Sequence, residues 1–313
     1  MFRSFRHVVT RESLTLGGSA SAMSNPALDR RPNAVVLLTH RVNPPGGPTL
    51  YVPRTLLAAY VQGRWVITHA DGTGPPVGAA YDVMAYDEPS TSTFVHVATR
   101  ENTEGSTTWT DNQFLNDEPA AVVFVTRRSA PAAHATDTFV HVVPEDASAW
   151  SLGGLGGARV ERLDRPELPD VDHAIGVWYN RRTGRWNIFH QDYSPIPPNA
   201  QFSVDALTPR TYPSFFEHCR VVVAPAPAEP RVDFVIDPSD GPIRSIMLTQ
   251  NISIHDANRS IVIGVRDVRA AYNDRATGLL WNEGTARTAV INEDGTPVPT
   301  GAGFNVRHVP SSG

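Results

Sequence analysis

Three times along its length the chain sets an Asp ahead of a Pro-rich turn and a short apolar strand. The segments read DGTGPPVGAAYDV from Asp71, DYSPIPPNAQFSV from Asp192 and DGTPVPTGAGFNV from Asp294. Self-similarity of this kind means one supersecondary unit copied along the chain, each copy completing its core against a neighbour. It constrains architecture before any single element is assigned, and it constrains chemistry much less.

Further lines of the repeat keep the same order. An opening strand reads FRHVVTRE from Phe5 and FVHVATRE from Phe94; FEHCRVVV from Phe216 keeps the Phe and His218 at the same spacing. An apolar run ending in Thr follows as NAVVLLT from Asn33, AAVVFVT from Ala120 and PIRSIMLT from Pro242. A hairpin then closes on the Asp: AYVQGRWVITHAD from Ala59 and VWYNRRTGRWNIFHQD from Val177. The step from His7, His96 or His218 to Thr39, Thr126 or Thr249 is nearly constant. The step from that Thr to the Asp varies widely, so insertions are confined to that half of the unit.

Phe94 to Val97 alternates with a period of two, as a half-buried strand does. Ala121 to Thr126 is too short for a helix and apolar throughout, which suits a strand buried on both faces. Ile175 to Tyr179 and Arg185 to His190 form a hairpin with a Gly-closed loop, shortened to about Val61-Gln62-Gly63 in the first copy. Pro195 to Pro198 reads as a loop crossing between strands, because Pro cannot donate to a ladder. Only Thr55 to Val61 and Ile261 to Tyr272 leave room for a short helix, and both fit strands equally well. With 27 Pro and 23 Gly punctuating short strands, the fold class is all-β. It comprises three divergent copies of a β-sandwich-like module of six or seven strands.

The modules are expected at 1–88, 89–207 and 208–313, with an insertion at 130–172 in the second. They stand in a row as separate sandwiches or close into one body with pseudo-threefold symmetry; the short junctions favour the compact body. The single cysteine, Cys219, excludes an intrachain disulfide and sits in an apolar run, as a small buried hydrophobe does. A net charge of −5 gives no basic face for nucleic acid. No run of 18 apolar residues is present to span a membrane. There is no Sec-type signal peptide, so the default location is the cytoplasm, with export by another route open.

The hairpin Ile175-Gly-Val-Trp-Tyr179 with Arg185-Trp-Asn-Ile-Phe-His-Gln-Asp192, opened by Phe94-Val-His-Val-Ala98, resembles a bacterial β-rich tandem repeat domain of unknown function. The first copy keeps Trp65 and Asp71 of that signature; the third keeps Asn292 and Asp294, with Trp281 upstream. The resemblance implies a tandem architecture, often in exported or surface proteins, and transfers no catalytic residue.

Repeated polar residues such as His7, His96, His218, Asp71, Asp192 and Asp294 read first as fold elements. An Asp before a Gly or Pro turn bonds its own backbone, and a His on an alternating strand bonds a neighbouring carbonyl. No metal-ligand or nucleotide-binding spacing is present, so no metal or other cofactor is expected. The hairpin aromatics are the binding candidates. Trp65 and His69, and Trp186 and His190, each share one strand face, and Tyr179 lies opposite. Solvated, that face would stack on a sugar or aromatic ligand; buried, it is core. The function expected is therefore a non-catalytic binding or structural repeat protein, carbohydrate-directed or part of a surface or secreted assembly. Its partners would be a glycan, a small molecule, another protein or a second copy. The alternative is an enzyme of unfamiliar type, its pocket in the non-repeated parts and lined by His134, His141 or His173.

Overall fold

A computed structural model of the chain describes residues 2–26, 28–129, 172–208, 219–225, 228, 230–234, 243–252, 271–282 and 287–310. The first module supplies β1 (Phe2–Val8), β2 (Leu14–Thr15), β3 (Ala20–Ala22), β4 (Val35–Arg41), β5 (Leu56–Val61), β6 (Arg64–His69) and β7 (Ala80–Tyr86). The second supplies β8 (Thr93–Val97), β9 (Thr103–Glu104), β10 (Thr107–Trp109), β11 (Val122–Ser129), β12 (Ile175–Asn180), β13 (Arg185–His190) and β14 (Gln201–Leu207). The third supplies β15 (Cys219–Val223), β16 (Arg231–Phe234), β17 (Ile243–Asn251), β18 (Thr277–Asn282), β19 (Arg287–Asn292) and β20 (Gly303–Pro310). Among the described residues the only helical element is a 3-10 turn at Leu16–Gly18. The ambiguous stretch from Thr55 is strand β5; most of the other, from Ile261, lies outside the described residues.

No sheet belongs to one module. The three orders are β1-β7-β4-β18-β19-β16, β2-β3-β6-β5-β11-β14-β8 and β15-β20-β17-β12-β13-β10-β9. Each module gives its first, last and middle strands to one sheet and its hairpin to the next. The first module thus meets the second and third, and the second meets the third. The joint is the same every time, a short parallel contact between a middle strand and a neighbour's hairpin: Arg41 with Leu279, Arg127 with Leu57, Gln250 with Gly176. One contact type repeated until it returns to its start is the rule by which rings close. Here the ring closes within one chain, which settles the arrangement as a single pseudo-threefold body.

The middle strands show why their sequences are apolar throughout. In β4, Val36 and Leu38 enter the first module's own core, with Trp65, Ile67, Tyr81 and Val83. Leu37 faces the other way, into a core on the threefold axis shared with Met84, Val122, Phe124, Leu207, Cys219 and Met247. In β11, Val123 and Val125 pack in the second module's core while Val122 and Phe124 face the axis. Ile246 and Met247 divide the same way in β17.

Because the parallel joints are short, part of each middle strand lacks a ladder partner beside the axis, and a buried amide there needs another acceptor. The Thr that ends each apolar run provides it. Leu38 N donates to Thr126 Oγ1 at 2.9 Å, Val125 N to Thr249 Oγ1 at 3.0 Å, and Leu248 N to Thr39 Oγ1 at 3.1 Å. A second ring lies one step away. Val36 N donates to Ser203 Oγ, Ile246 N to Asp82 Oδ2, and Asn305 Nδ2 to the carbonyl of Val123. Asp82, Ser203 and Asn305 are the antiparallel partners of the three Thr residues.

Strand direction puts the repeat's variable parts together. Leu56 pairs with His69, Ile175 with His190 and Thr277 with Asn292, while Arg41 pairs with Ala80 and Arg128 with Gln201. The described strand ends that flank 42–55, 130–174 and 252–276 therefore lie at one pole, beside the three Asp turns. The tight hairpin turns at 62–63 and 181–184 and the chain junction 87–92 lie at the opposite pole.

Candidate functional site

The crossover pole is built from the same three interactions in each module. Asp71 Oδ1 accepts from Thr73 N at 2.9 Å and Thr73 Oγ1 at 2.6 Å. Asp192 does the same with Ser194 at 3.0 and 2.7 Å, and Asp294 with Thr296 at 2.9 and 2.6 Å. These are the Asx-turns that an Asp before a turn predicts. The second oxygen of each carboxylate takes a basic group two residues before the hairpin. Arg54 Nε lies 2.8 Å from Asp71, His173 Nδ1 2.5 Å from Asp192, and Arg275 Nε 3.4 Å from Asp294. Burial pushes the three carboxyls up, but the Thr or Ser bonds and the adjacent base outweigh it and hold each below the usual carboxylate range.

The last residue of each hairpin braces the same turn. His69 Nδ1 meets Thr73 Oγ1 at 3.0 Å, His190 Nδ1 meets Ser194 Oγ at 3.1 Å, and Asn292 Nδ2 donates to Thr296 Oγ1 at 3.3 Å. Both His residues are buried, and burial lowers each to about pKa 4, so both are neutral at pH 7. The opening-strand histidines bond hydroxyls rather than the expected carbonyls, because a strand of a different sheet, β3 for His7 and β10 for His96, brings a Ser or Thr up to each ring. His7 Nε2 lies 2.8 Å from Ser21 Oγ, and His96 Nε2 lies 2.8 Å from Thr108 Oγ1. His218 lies outside the described residues.

The hairpin aromatics are core. Trp65 and Trp186 are fully buried, and their indole N–H groups donate to the carbonyls of Arg31 and Glu118 at 2.8 and 2.9 Å. Tyr179 is half-buried with its ring centroid 5.7 Å from that of Trp186. With Trp65, His69, Trp186 and His190 all buried, their shared face offers no surface on which a ligand ring can stack. Trp281 proves to lie on the opposite strand of its hairpin from Trp65 and Trp186. It pairs with Thr288, which takes the buried Trp position, and stands where Tyr60 and Tyr179 stand. Cys219 is buried in the axial core, and burial pushes its thiol up to about 12, far from a nucleophilic thiolate.

The interfaces between modules at this pole are polar and differ from one another. Between the first and third modules, His40 Nδ1 lies 2.8 Å from Glu293 Oε2, which also accepts Val52 N at 2.6 Å. Gly278 makes this possible, since a Cβ there would stand 2.7 Å from Glu293 Oε1. The imidazole of His40 packs 5.1 Å from the ring of Tyr81. His40 Nε2, His69 Nε2 and the Tyr81 hydroxyl are buried with no hydrogen-bond partner. Between the second and third modules the side-chain amides of Gln191 and Gln250 meet, and Gln191 Oε1 accepts Asn273 N at 3.1 Å. Among the described residues no cluster of His, Cys, Asp or Glu has the geometry to hold a metal ion. His134 and His141 lie outside the described residues. A shallow hollow of about 340 Å³, lined by Glu12, Gln62, Arg64 and Val66 among others, opens on the outer face of the first hairpin.

One feature of the pole breaks the threefold pattern with an exposed side chain. The residue after each Asp has a left-handed backbone: Gly72 at φ 79°, Gly295 at φ 78°, and Tyr193 at φ 64°. The Tyr193 ring is 63 % exposed and lies 5.0 Å from that of Tyr272, itself 43 % exposed, across the boundary between the second and third modules. Aligning Asp-Gly-Thr, Asp-Tyr-Ser and Asp-Gly-Thr exposes the Tyr as the odd residue; its pairing with Tyr272 has no signal in the sequence.

No curated protein and no solved structure matches the chain. A family model described as a domain of unknown function, DUF7452, matches residues 2–84, 57–151 and 162–206. The third module lies beyond these matches, and its kinship shows in its strand order and in Thr249, Arg275 and Asp294. With more than half of its 313 residues matched, the chain belongs to the DUF7452 family of tandem β-rich repeats.

Proposed function

We propose that this protein is a non-catalytic binding scaffold whose ligand-facing surface is the crossover pole. The observation that carries the reading is that the strand ends flanking all three crossovers of variable length lie there with all three Asx-turns. In repeat proteins, insertions gather on the face that meets the partner, while the shared residues hold the frame. The division of labour among residues supports the same view. Those repeated in every copy – the three Thr, the three Asp and their basic partners – are engaged with backbone or with one another. Side chains free to differ sit on the pole. A frame of fused modules that share sheets also holds its loops in fixed relative positions, which lowers the ordering cost of binding.

The test is a thermal-shift screen of the full chain against mono- and disaccharides, short peptides and polyanions, with hits mapped by amide hydrogen exchange. Protection is expected in 42–55, 191–200 and 293–302. Protection confined to the opposite pole, around 62–63, 87–92 and 181–184, overturns the reading, as does the absence of any hit.

A further inference from the structure

We infer that Tyr193 and Tyr272 form a platform for an uncharged sugar ring, a proposal that rests on the crossover pole being the binding face. The first ground is backbone cost. A left-handed conformation is close to free for Gly and unfavourable for an L-residue with a bulky side chain. Two of three equivalent turns use Gly, and the third holds a Tyr at φ 64°. A strained residue persists where its side chain has a task. The buried environment supplies none here, because the ring is mostly in solvent.

The second ground is order. Tyr272 packs edge-on against the buried ring of Phe189, centroids 5.7 Å apart. The next residue is tied down through Asn273 N to Gln191 Oε1 and Asn273 Nδ2 to Asn292 Oδ1. Tyr193 is tied from the other side by the Asx-turn of Asp192. The two rings meet at 54°, and the neighbouring Tyr193 phenol raises Tyr272 above the usual tyrosine range. Two exposed aromatic rings are thus held as a fixed corner, so little ordering remains to be done on binding.

The third ground is the chemistry of the rim. The ionisable neighbours satisfy one another: Asp192 with His173, and Arg275 with Asp274 and Asp294. One Arg serves two carboxylates and the other carboxylate holds the His, so these groups offer no cation to an anionic ligand. What is offered is an apolar ring face with an electron-rich π-surface, walled by a second ring, with phenolic hydroxyls at the edge. A pyranose matches this, with polarised C–H groups on its flat face and hydroxyls around its rim.

The experiment is saturation-transfer NMR on the full chain with methyl β-glucoside, methyl β-galactoside, methyl α-mannoside and N-acetylglucosamine. It is run on wild type, Tyr193→Gly and Tyr51→Ala; Tyr51 is an exposed tyrosine of the first crossover. Tyr193→Gly restores the residue of the sister turns, so its melting temperature is expected at or above wild type, which separates lost binding from lost folding. The expected result is transfer from at least one sugar, weakened about tenfold or more by Tyr193→Gly and unchanged by Tyr51→Ala. Transfer that survives in Tyr193→Gly overturns the inference; if it is lost in Tyr51→Ala instead, the pole binds but not through this pair. Absence of transfer from every sugar also overturns it, while the hydrogen-exchange test with peptides and polyanions still decides the wider reading.

Discussion

The backbone N–H of Leu38 in the first module donates to the side-chain oxygen of Thr126 in the second at 2.9 Å. The same bond runs from the second module to the third and from the third back to the first. Thr39, Thr126 and Thr249 are all buried. Replacing any one by Val keeps the shape and leaves a buried amide without its acceptor, which costs about 1–3 kcal/mol. Urea denaturation of the three variants should show losses of similar size. A midpoint unchanged in any of them would mean that its amide finds another partner.

On the axis, Arg307 Nη1 lies 2.6 Å from Asp205 Oδ2, both almost fully buried, with the Tyr86 hydroxyl 3.2 Å from the same oxygen. The equivalent position in the first module is Met84, since Leu37–Met84, Phe124–Asp205 and Met247–Arg307 are matching pairs of register. Breaking a buried pair from one side strands a charge, so Arg307→Met alone is expected to cost about 3–5 kcal/mol. The double change Asp205→Met with Arg307→Met extends what Met84 already does and should be far closer to wild type. A double-mutant cycle measures this; additive losses would sink the argument.

Burial lowers His7, His96, His69 and His190 from 6.5 to about 4. Each therefore binds fewer protons folded than unfolded between those values, and stability must rise with pH across that window. The contribution is fully present above about pH 6.5 and is lost as the pH falls towards 4. The lowered carboxyls of Asp71, Asp192 and Asp294 act in the same direction below about pH 4. Melting temperature should fall steadily from pH 7 to pH 4. Exchanging His7 and His96 together for Gln, which keeps a donor for Ser21 and Thr108, should flatten that slope. A slope unchanged by the double exchange would contradict the assignment.

Gly278→Ala places a methyl group 2.7 Å from Glu293 Oε1 and 3.0 Å from Val42 Cγ2. Glu293 must then retreat from His40 and Val52, leaving buried polar groups unpaired, at about 1–3 kcal/mol. Guanidinium unfolding should register the loss. Adding Glu293→Ala should recover part of it, because the first module carries Leu57 and Ala70 at these two places. No recovery would locate the strain elsewhere.

Local features were legible because their causes are local. An Asp two residues before a Thr or Ser sets its own turn; a run such as Val122 to Thr126 declares burial on both faces. The second hairpin was legible to within a residue from its Gly-closed loop, as Ile175 to Tyr179 with Arg185 to His190, whereas Thr55 to Val61 fitted a helix and a strand equally well. What the pattern could not carry was partnership. Nothing in Arg41 or Leu279 announces a parallel contact between residues so far apart, and the joint is too short to impose a pattern of its own. The same limit hid the role of the Thr residues, whose acceptors serve another module. The hairpin aromatics misled for a related reason: a Trp beside a His on one strand face looks alike whether that face is wet or covered. The buried Trp position of the third module passes to Thr288, so Trp281 could not be placed by likeness.

In a linear repeat array each unit touches only its neighbours, the ends need special caps, and the array can fray one unit at a time. Here each module lends its hairpin to the next and borrows one from the last, so there is no terminal unit to cap and none that can leave alone. Withdrawing β16, β18 and β19 would expose the edge of β4 in the first module, and withdrawing β15, β17 and β20 would expose the edge of β12 in the second. The chain should therefore unfold in one cooperative step. A newly made chain cannot complete the sheet that holds its first strand until β19 has been synthesised.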